Sequence, residues 1–285
     1  QCSCVRRTGI KMDLSLSANL GGASTVDIFP QFIGVAEAGT GLMGGGNTGV
    51  GSIYNGLYKL STATHGHSGF DEGVHWTNID QTYTHIKILR KTSDKQWKLV
   101  NSNTLLVKYS SGSTADTPPA TGWSTASGTD DPPTLLFKTL VTEQSPLSLV
   151  SCSVVSRNFA EGEITIQSDL GVAGLKSLTF GDSTALSDGD SYVFGYEIKD
   201  DGNVTGSSNV QIGVSSPAST YVRSGGIWGG GGATYRGETF SQEYGKDRLG
   251  ADLTIDSSVG VRFRVTGNTW TTGEAITIRN LRLMA

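Results

Sequence analysis

Cysteine, methionine, proline and charge are all scarce in this 285-residue chain, and each shortage narrows what it can be. There are three cysteines, Cys2, Cys4 and Cys152. An odd number prevents complete pairing within the chain, and Cys2 and Cys4 lie too close along it for an ordinary bridge, so a disulfide scaffold is excluded. They do not mark a zinc site either: such a site needs about four ligands, and no further Cys or His lies near them in sequence. Charged residues make up 17%, the formal net charge is −4, and the densest basic group, Lys87 to Lys98, is interrupted by strand-forming residues. Nucleic acid requires clustered Lys and Arg against its phosphates, so no nucleic-acid partner is expected. No run of this sequence reaches the roughly 18–20 apolar residues that span a bilayer. The Cys4-Val-Arg-Arg start has no apolar stretch of the signal-peptide kind behind it. The expectation is a soluble chain without membrane insertion.

Signatures of catalysis are missing too. The chain holds no Gly-x-Ser-x-Gly elbow and no His-Glu-x-x-His. Its acidic residues sit in glycine-rich turns, where β proteins ordinarily keep them, and Cys152 is flanked by apolar strand residues that favour an inert core thiol. The glycine cluster Gly39-Thr-Gly41-Leu-Met-Gly44-Gly45-Gly46-Asn-Thr-Gly49-Val-Gly51 has no following Lys and no helix, so it reads as an arm and not as a phosphate loop. The chain is expected not to be an enzyme.

Glycine, serine and threonine take the place of what is lacking; glycine alone numbers 39. Short runs of alternating apolar and polar residues, bounded by turn residues, recur along the whole length, and no segment shows a helical period. The fold class is therefore all-β. Residues 1–52 read as an N-terminal arm with attachment strands, among them Val26–Val35, where Pro30 points to a sheet edge. Residues 53–140 read as a small antiparallel module rich in Trp and Tyr. Residues 141–285 carry longer strands, including Leu149–Val155, Ser191–Lys199 and Ala275–Leu283, at the spacing of a β-sandwich of jelly-roll type. Asp200-Asp-Gly-Asn reads as a hairpin turn.

Two resemblances follow from particular residues. Gly56-Leu-Tyr58, His65-Gly-His67, Trp76, Ile86, Ile88, Trp97-Lys-Leu99, Tyr109, Pro118-Pro119 and Trp123 resemble, in order and spacing, a β module of phage tail-fibre and related virion proteins. Lys108-Tyr109 departs from it, since the module commonly has paired Tyr. Ser191-Tyr-Val-Phe-Gly-Tyr-Glu-Ile-Lys199 and the closing Glu274–Leu283 strand are similar to carbohydrate-binding jelly-roll modules. The resemblances imply a structural virion protein of a tailed phage: tail fibre, baseplate or head decoration. They imply a homo-oligomer, most plausibly a trimer, whose partners are other virion proteins and cell-surface polysaccharide. The alternatives are a capsid decoration protein without a ligand and a secreted carbohydrate-binding accessory domain.

Sugar recognition needs flat aromatic faces beside planar hydrogen-bonding groups. Tyr221, Arg223, Trp228, Tyr235 and Arg236 supply both kinds around a glycine-rich stretch that reads as a loop. Packing over a sheet edge or in a subunit interface is the plainer role for Trp228, and contact with a ligand the functional one. His65 and His67 are the only metal candidates singled out; the fibre resemblance implies that such pairs around a trimer axis can hold an iron-type ion, whereas turn histidines need no metal. His75 and His85 alternate with Trp76 and Ile86 and read as solvent-facing. No cofactor is implied, although a structural calcium has possible oxygen ligands in Glu161, Glu163, Asp188, Asp190, Asp200 and Asp201.

Overall fold

The computed structural model describes residues 29–38, 52–145, 147–169, 174–180, 186–187, 189–200, 207–213, 223–229, 234–245, 252, 261–267 and 272–285, and for 174–180, 207–213, 223–229, 240, 242 and 261–267 it describes the backbone only. The glycine cluster of the arm lies outside these residues, as does the expected strand at 11–17. Among the described residues no helix is long and apolar enough to cross a membrane. The architecture is all-β, and among the described residues every strand pairing is antiparallel.

The first eight strands are β1 (Phe32–Ala36), β2 (Gly56–Ser61), β3 (His75–Asn78), β4 (Ile86–Arg90), β5 (Trp97–Asn101), β6 (Leu106–Ser111), β7 (Trp123–Thr125) and β8 (Thr134–Leu136). They form one sheet in the order β7-β6-β5-β4-β3-β2-β1-β8. Every one of these strands places a side chain in a single apolar cluster, from Ile33 and Val35 through Tyr58, Trp76, Ile88, Leu99 and Tyr109 to Trp123 and Leu135. A flat sheet cannot gather eight strands around one cluster, so the sheet curls towards a barrel. The curl brings its ends together, and the Leu135 amide donates to the Ala120 carbonyl just before β7 (2.8 Å). Three tryptophans fill the interior, each with its indole N–H spent on a connecting segment: Trp76 donates to Pro30 O (2.8 Å), Trp97 to Ala115 O (2.9 Å) and Trp123 to Pro119 O (2.9 Å). A buried ring gains its apolar contacts only if the polar edge is satisfied, and here the same bond ties down a loop.

Pro30 does not mark an edge. It precedes β1, which lies between β2 and β8 inside the sheet. Proline cannot donate to a ladder, but Pro30 stands before the ladder begins and uses its carbonyl on Trp76. His75 is likewise not solvent-facing; it is buried, and its Nδ1 lies 2.8 Å from Gly73 O.

The second unit is a sandwich. One sheet joins β10 (Leu147–Val150), β13 (Gly174–Phe180), β18 (Val261–Gly267), β15 (Ser207–Gly213) and β16 (Arg223–Gly229) in that order. The other joins β11 (Cys152–Asn158), β12 (Glu163–Ser168), β19 (Ala275–Met284), β14 (Ser191–Asp200) and β17 (Arg236–Glu243), with β9 (Thr139–Thr142) also paired to β19. The expected single strand over 149–155 is in fact β10 and β11, which belong to opposite sheets; Ser151, at φ +57°, turns the corner between them. Asp200 does not open a hairpin, because β14 and β15 also lie in different sheets. Local turn chemistry does not reveal which sheet the next strand will join. Between the sheets, Tyr192, Phe194, Tyr196 and Ile198 of β14 pack with Ile164, Ile166, Ile276, Ile278 and Leu283. Cys152 is buried in the same core.

Barrel and sandwich meet across β2 and β14. Residues of opposite parity on these strands face a second small core of Ala36, Leu57, Ile79, Val193 and Met284. The backbones approach too closely for side chains at two positions. A Cβ on Gly195 would lie 2.7 Å from the Leu57 side chain, and one on Gly237 would lie 1.8 Å from the Ile79 carbonyl oxygen. Three hydrogen bonds cross or line the seam: the Leu57 amide donates to Thr239 Oγ1, which donates to Phe194 O, and the Gln81 amide donates to Gly237 O (3.1 Å). Leu57 is fully buried. Replacing it with Ala should cost ~2–5 kcal/mol through lost contacts and an unfilled cavity. Gly237→Ala should cost at least as much, because backbone must move. Urea unfolding checks both, and an unchanged midpoint for Gly237→Ala contradicts the close approach.

Candidate functional site

The barrel covers only part of the outer face of the six-stranded sheet. On the uncovered part, alternation sends Ile164, Ile166, Ile276, Ile278 and Ile198 inward and leaves every second residue outward. Backbone register aligns these residues in two rows across the strands. One row runs Glu163, Arg279, Glu197, Gly237; the other runs Thr165, Thr277, Lys199, with Tyr235 at the end beside β17.

A β-bulge sharpens the first row. Between Gly195 and Glu197 of β14, the pairing skips from Arg282 to Arg279 on β19, so Asn280 and Leu281 share one position of the partner. Asn280 adopts φ +53° there. An extra residue changes the phase of a strand. Before the bulge the odd-numbered residues of β19 face out; after it, Arg282 and Met284 do. Arg279 and Asn280 consequently both reach Glu197. Arg279 donates from Nε (3.0 Å) and Nη2 (3.2 Å) to the two carboxylate oxygens, and the Asn280 amide donates to Oε2. The two-pronged pair fixes both planar groups in one orientation. Because Arg279 and Glu197 remain partly exposed, the pair adds only about 1 kcal/mol of stability.

Tyr235 supports the cations. The Arg279 guanidinium carbon lies 3.6 Å from its ring centroid and Lys199 Nζ lies 4.5 Å away. The ring is therefore not the open stacking platform that the sequence reading sought; it holds two positive groups in place. Its hydroxyl is buried without a well-formed hydrogen bond, although the Glu163 carboxylate is close enough to act on it. Burial first, and then Glu163, push the phenol's pKa well up, so it stays protonated. In the second row Thr165 and Thr277 hydroxyls bond to each other (3.0 Å).

Of the five candidate sugar contacts, Tyr235 lies in this site and Arg236 is exposed at the start of β17. Arg223 and Trp228 belong to β16, the last strand of the other sheet, so they are not neighbours of Tyr235 along one ladder. Trp228 sits in a strand, opposite Ser208 of β15, and not in the loop that its glycines indicated. Tyr221 lies outside the described residues. Glu197, Lys199, Arg279 and Asn280 were not singled out from sequence. Strand alternation marks the first three as outward-facing, but the bulge that brings Asn280 to them has no local signature.

The calcium candidates scatter. Asp188 and Asp201 lie outside the described residues, Asp190 accepts from the Ser187 amide (2.8 Å), and Glu163 stands in the first row. Among the described residues no group of three or more His, Cys, Asp or Glu side chains is arranged to hold a metal ion.

His65 and His67 stack at 5.0 Å between ring centroids, with His75 edge-on to His65 at 5.1 Å. His65 has both nitrogens engaged: Nε2 lies 2.9 Å from Asp71 O and Nδ1 accepts from the His67 amide (3.1 Å). That is the pattern of a neutral ring serving as a turn staple. Glu72 closes the turn by accepting from the His65 and Gly66 amides (2.9 Å each). Burial lowers the pKa of His75, aided by Lys87 and His65 and opposed by its bond to Gly73 and by Glu72. Burial, His65 and Lys87 lower that of His67.

No protein-family model matches the chain, and no curated protein matches its sequence. Among solved structures, an arabinose-bound GH51 α-L-arabinofuranosidase shares 12% identity at a TM-score of 0.38 over 52% of this chain. The chain spans 26% of that enzyme. A CBM4 structure shares 15% identity at a TM-score of 0.30, over 47% of this chain and 77% of the other. A family 29 carbohydrate-binding module shares 14% identity at 0.31, over 51% and 85%. Likeness at this level carries no argument about function.

The histidines yield a pH dependence. A folded-state pKa below the ordinary value of about 6.5 means that the unfolded chain takes up protons first as pH falls. Stability should therefore decline from pH 7.5 towards pH 5, above the range where Asp and Glu titrate. His75→Gln should flatten that decline in thermal melts; an identical slope in the variant removes His75 as its source.

Proposed function

We propose that this chain is a non-catalytic adhesion protein that holds polysaccharide against the two polar rows of the six-stranded sheet, as a structural component of a tailed-phage particle. The observation that carries the binding half is the fixed arrangement of Arg279, Glu197 and Lys199, each partly exposed on the sheet face beyond the barrel, with the buried Asn280 holding Glu197. A sugar ring presents hydroxyls around its rim, each able to donate and accept. Planar groups already locked by bidentate bonds and by Tyr235 lose little further freedom when they engage those hydroxyls. The rows carry two carboxylates and two cations, which favours a neutral glycan over a charged one.

Catalysis fits the same residues poorly. A general acid or base needs a carboxyl free to exchange its proton with substrate. Both oxygens of Glu197 are committed to Arg279 and Asn280.

The particle half of the proposal rests on the resemblance of residues 54–123 to tail-fibre modules. Their barrel then serves as a spacer, and the segment before Phe29 as the link to other virion proteins. A homotrimer would present three identical faces and raise weak single-site contacts to useful avidity.

Affinity electrophoresis through neutral polysaccharides tests the site. Arg279→Ala should weaken retention at least about tenfold, some 1.4 kcal/mol. Retention equal to that of the wild type, with melting unchanged, removes the rows from the binding site.

A further inference from the structure

The two polar rows are open at one end and shut at the other. Pairing of β11 with β12 extends the first row to Asn158, opposite Glu163, and the second to Ser156, opposite Thr165. Asn158 and Ser156 are exposed on β11, the first strand of the six-stranded sheet. Further in, Glu163, Arg279 and Glu197 are half-buried, and Gly237 on β17 is buried outright.

The barrel produces that gradient. At the level of the first row it rests directly on β17: a Cβ on Gly237 would meet the Ile79 carbonyl oxygen at 1.8 Å, and the Gln81 amide donates to Gly237 O (3.1 Å). No sugar ring fits between backbones packed this closely. The second row stops against Tyr235. Its ring centroid lies 4.5 Å from Lys199 Nζ and 3.6 Å from the Arg279 guanidinium carbon, and its hydroxyl is buried. Swinging that ring aside would give up both cation–π contacts. Both rows thus lead from an open edge at β11 to a wall at β17. Three strand spacings separate β11 from β14, about 14 Å, so only a few sugar units can lie on the rows at once.

The wall decides which part of a polysaccharide fits. An internal stretch has chain leaving it in both directions, and a straight path along the rows drives one of them into Ile79, Gln81 and Tyr235. A terminal stretch has chain leaving in one direction only, outward past Asn158 and Ser156. The terminal ring also carries a free hydroxyl where an internal ring carries a glycosidic bond, and Gln81 is exposed at the wall that this hydroxyl would face. Given the rows as the glycan site, on which this rests, we propose that they form a blind cleft for the end of a neutral glycan chain. The chain end enters from the β11 edge and stops at Ile79, Gln81 and Tyr235, and internal stretches of the same glycan do not bind.

Counting sites tests the proposal. A glycan read at its end is a monovalent ligand, whereas one read internally offers many epitopes. Calorimetry on the full protein uses four linear neutral probes: amylose, mixed-linkage β-glucan, debranched arabinan and β-1,4-galactan. Each polymer is compared with its own mild-acid hydrolysate at equal mass. For a probe that binds, chains shortened about tenfold should show about tenfold more sites per gram, because each chain offers one seat whatever its length. Arg279→Ala should weaken binding of the hydrolysate at least about tenfold. Sites per gram that stay constant on hydrolysis, while Arg279→Ala still weakens binding, overturn end recognition and leave the rows as the glycan site. Binding that Arg279→Ala leaves unchanged, or no binding of any probe in either form, removes the rows and end recognition together.

Discussion

Everything that distinguishes this protein's surface follows from how closely two sheets approach at Gly195 and Gly237. With no Cβ at either position, Leu57 and the Ile79 carbonyl settle against the sandwich backbone. The contact is mixed in kind: an apolar core around Leu57 and Val193, and backbone groups satisfied through Thr239 and Gln81. Glu37 adds a bridge, accepting from Thr134 of the barrel (2.6 Å) and Ser191 of the sandwich (2.7 Å). The joint decides which part of the six-stranded sheet the barrel covers.

The open part gains its order from a second backbone device. A bulge turns one strand's alternation by a residue, and a single carboxylate then gathers an arginine and an asparagine. Neither device involves a reactive group. Both hold polar groups still at a surface, which is what recognition of a polyhydroxylated ligand asks for and what bond cleavage does not.

Much of the fold was legible because it is written locally. Alternation around Tyr58, Trp76, Ile88 and Leu99 identifies barrel strands, and the density of Trp identifies where the interior lies. What escaped was non-local. Nothing near Ser151 or Asp200 says that the chain changes sheets there, since that depends on partners far along the sequence. Nothing near Trp228 distinguishes a glycine-rich strand from a loop until Ser208 lies opposite it. The same limit applies to the site. Tyr235 was visible as an aromatic beside arginine, but its partners Lys199 and Arg279 come from β14 and β19, and only register unites them. Of the residues that read as a group, Trp228 lies on β16 while Tyr235 immediately precedes β17 of the opposite sheet.

The central claim is that the open polar rows, fixed by the seam and the bulge, are where this protein meets a glycan. A crystal structure of the full chain with a neutral oligosaccharide that it retains tests this most directly. The account predicts sugar lying across Arg279, Glu197 and Lys199, with hydroxyls bonded to the groups that Tyr235 and Asn280 hold in place. Sugar bound instead along β16 around Trp228, with the rows bare, would contradict it.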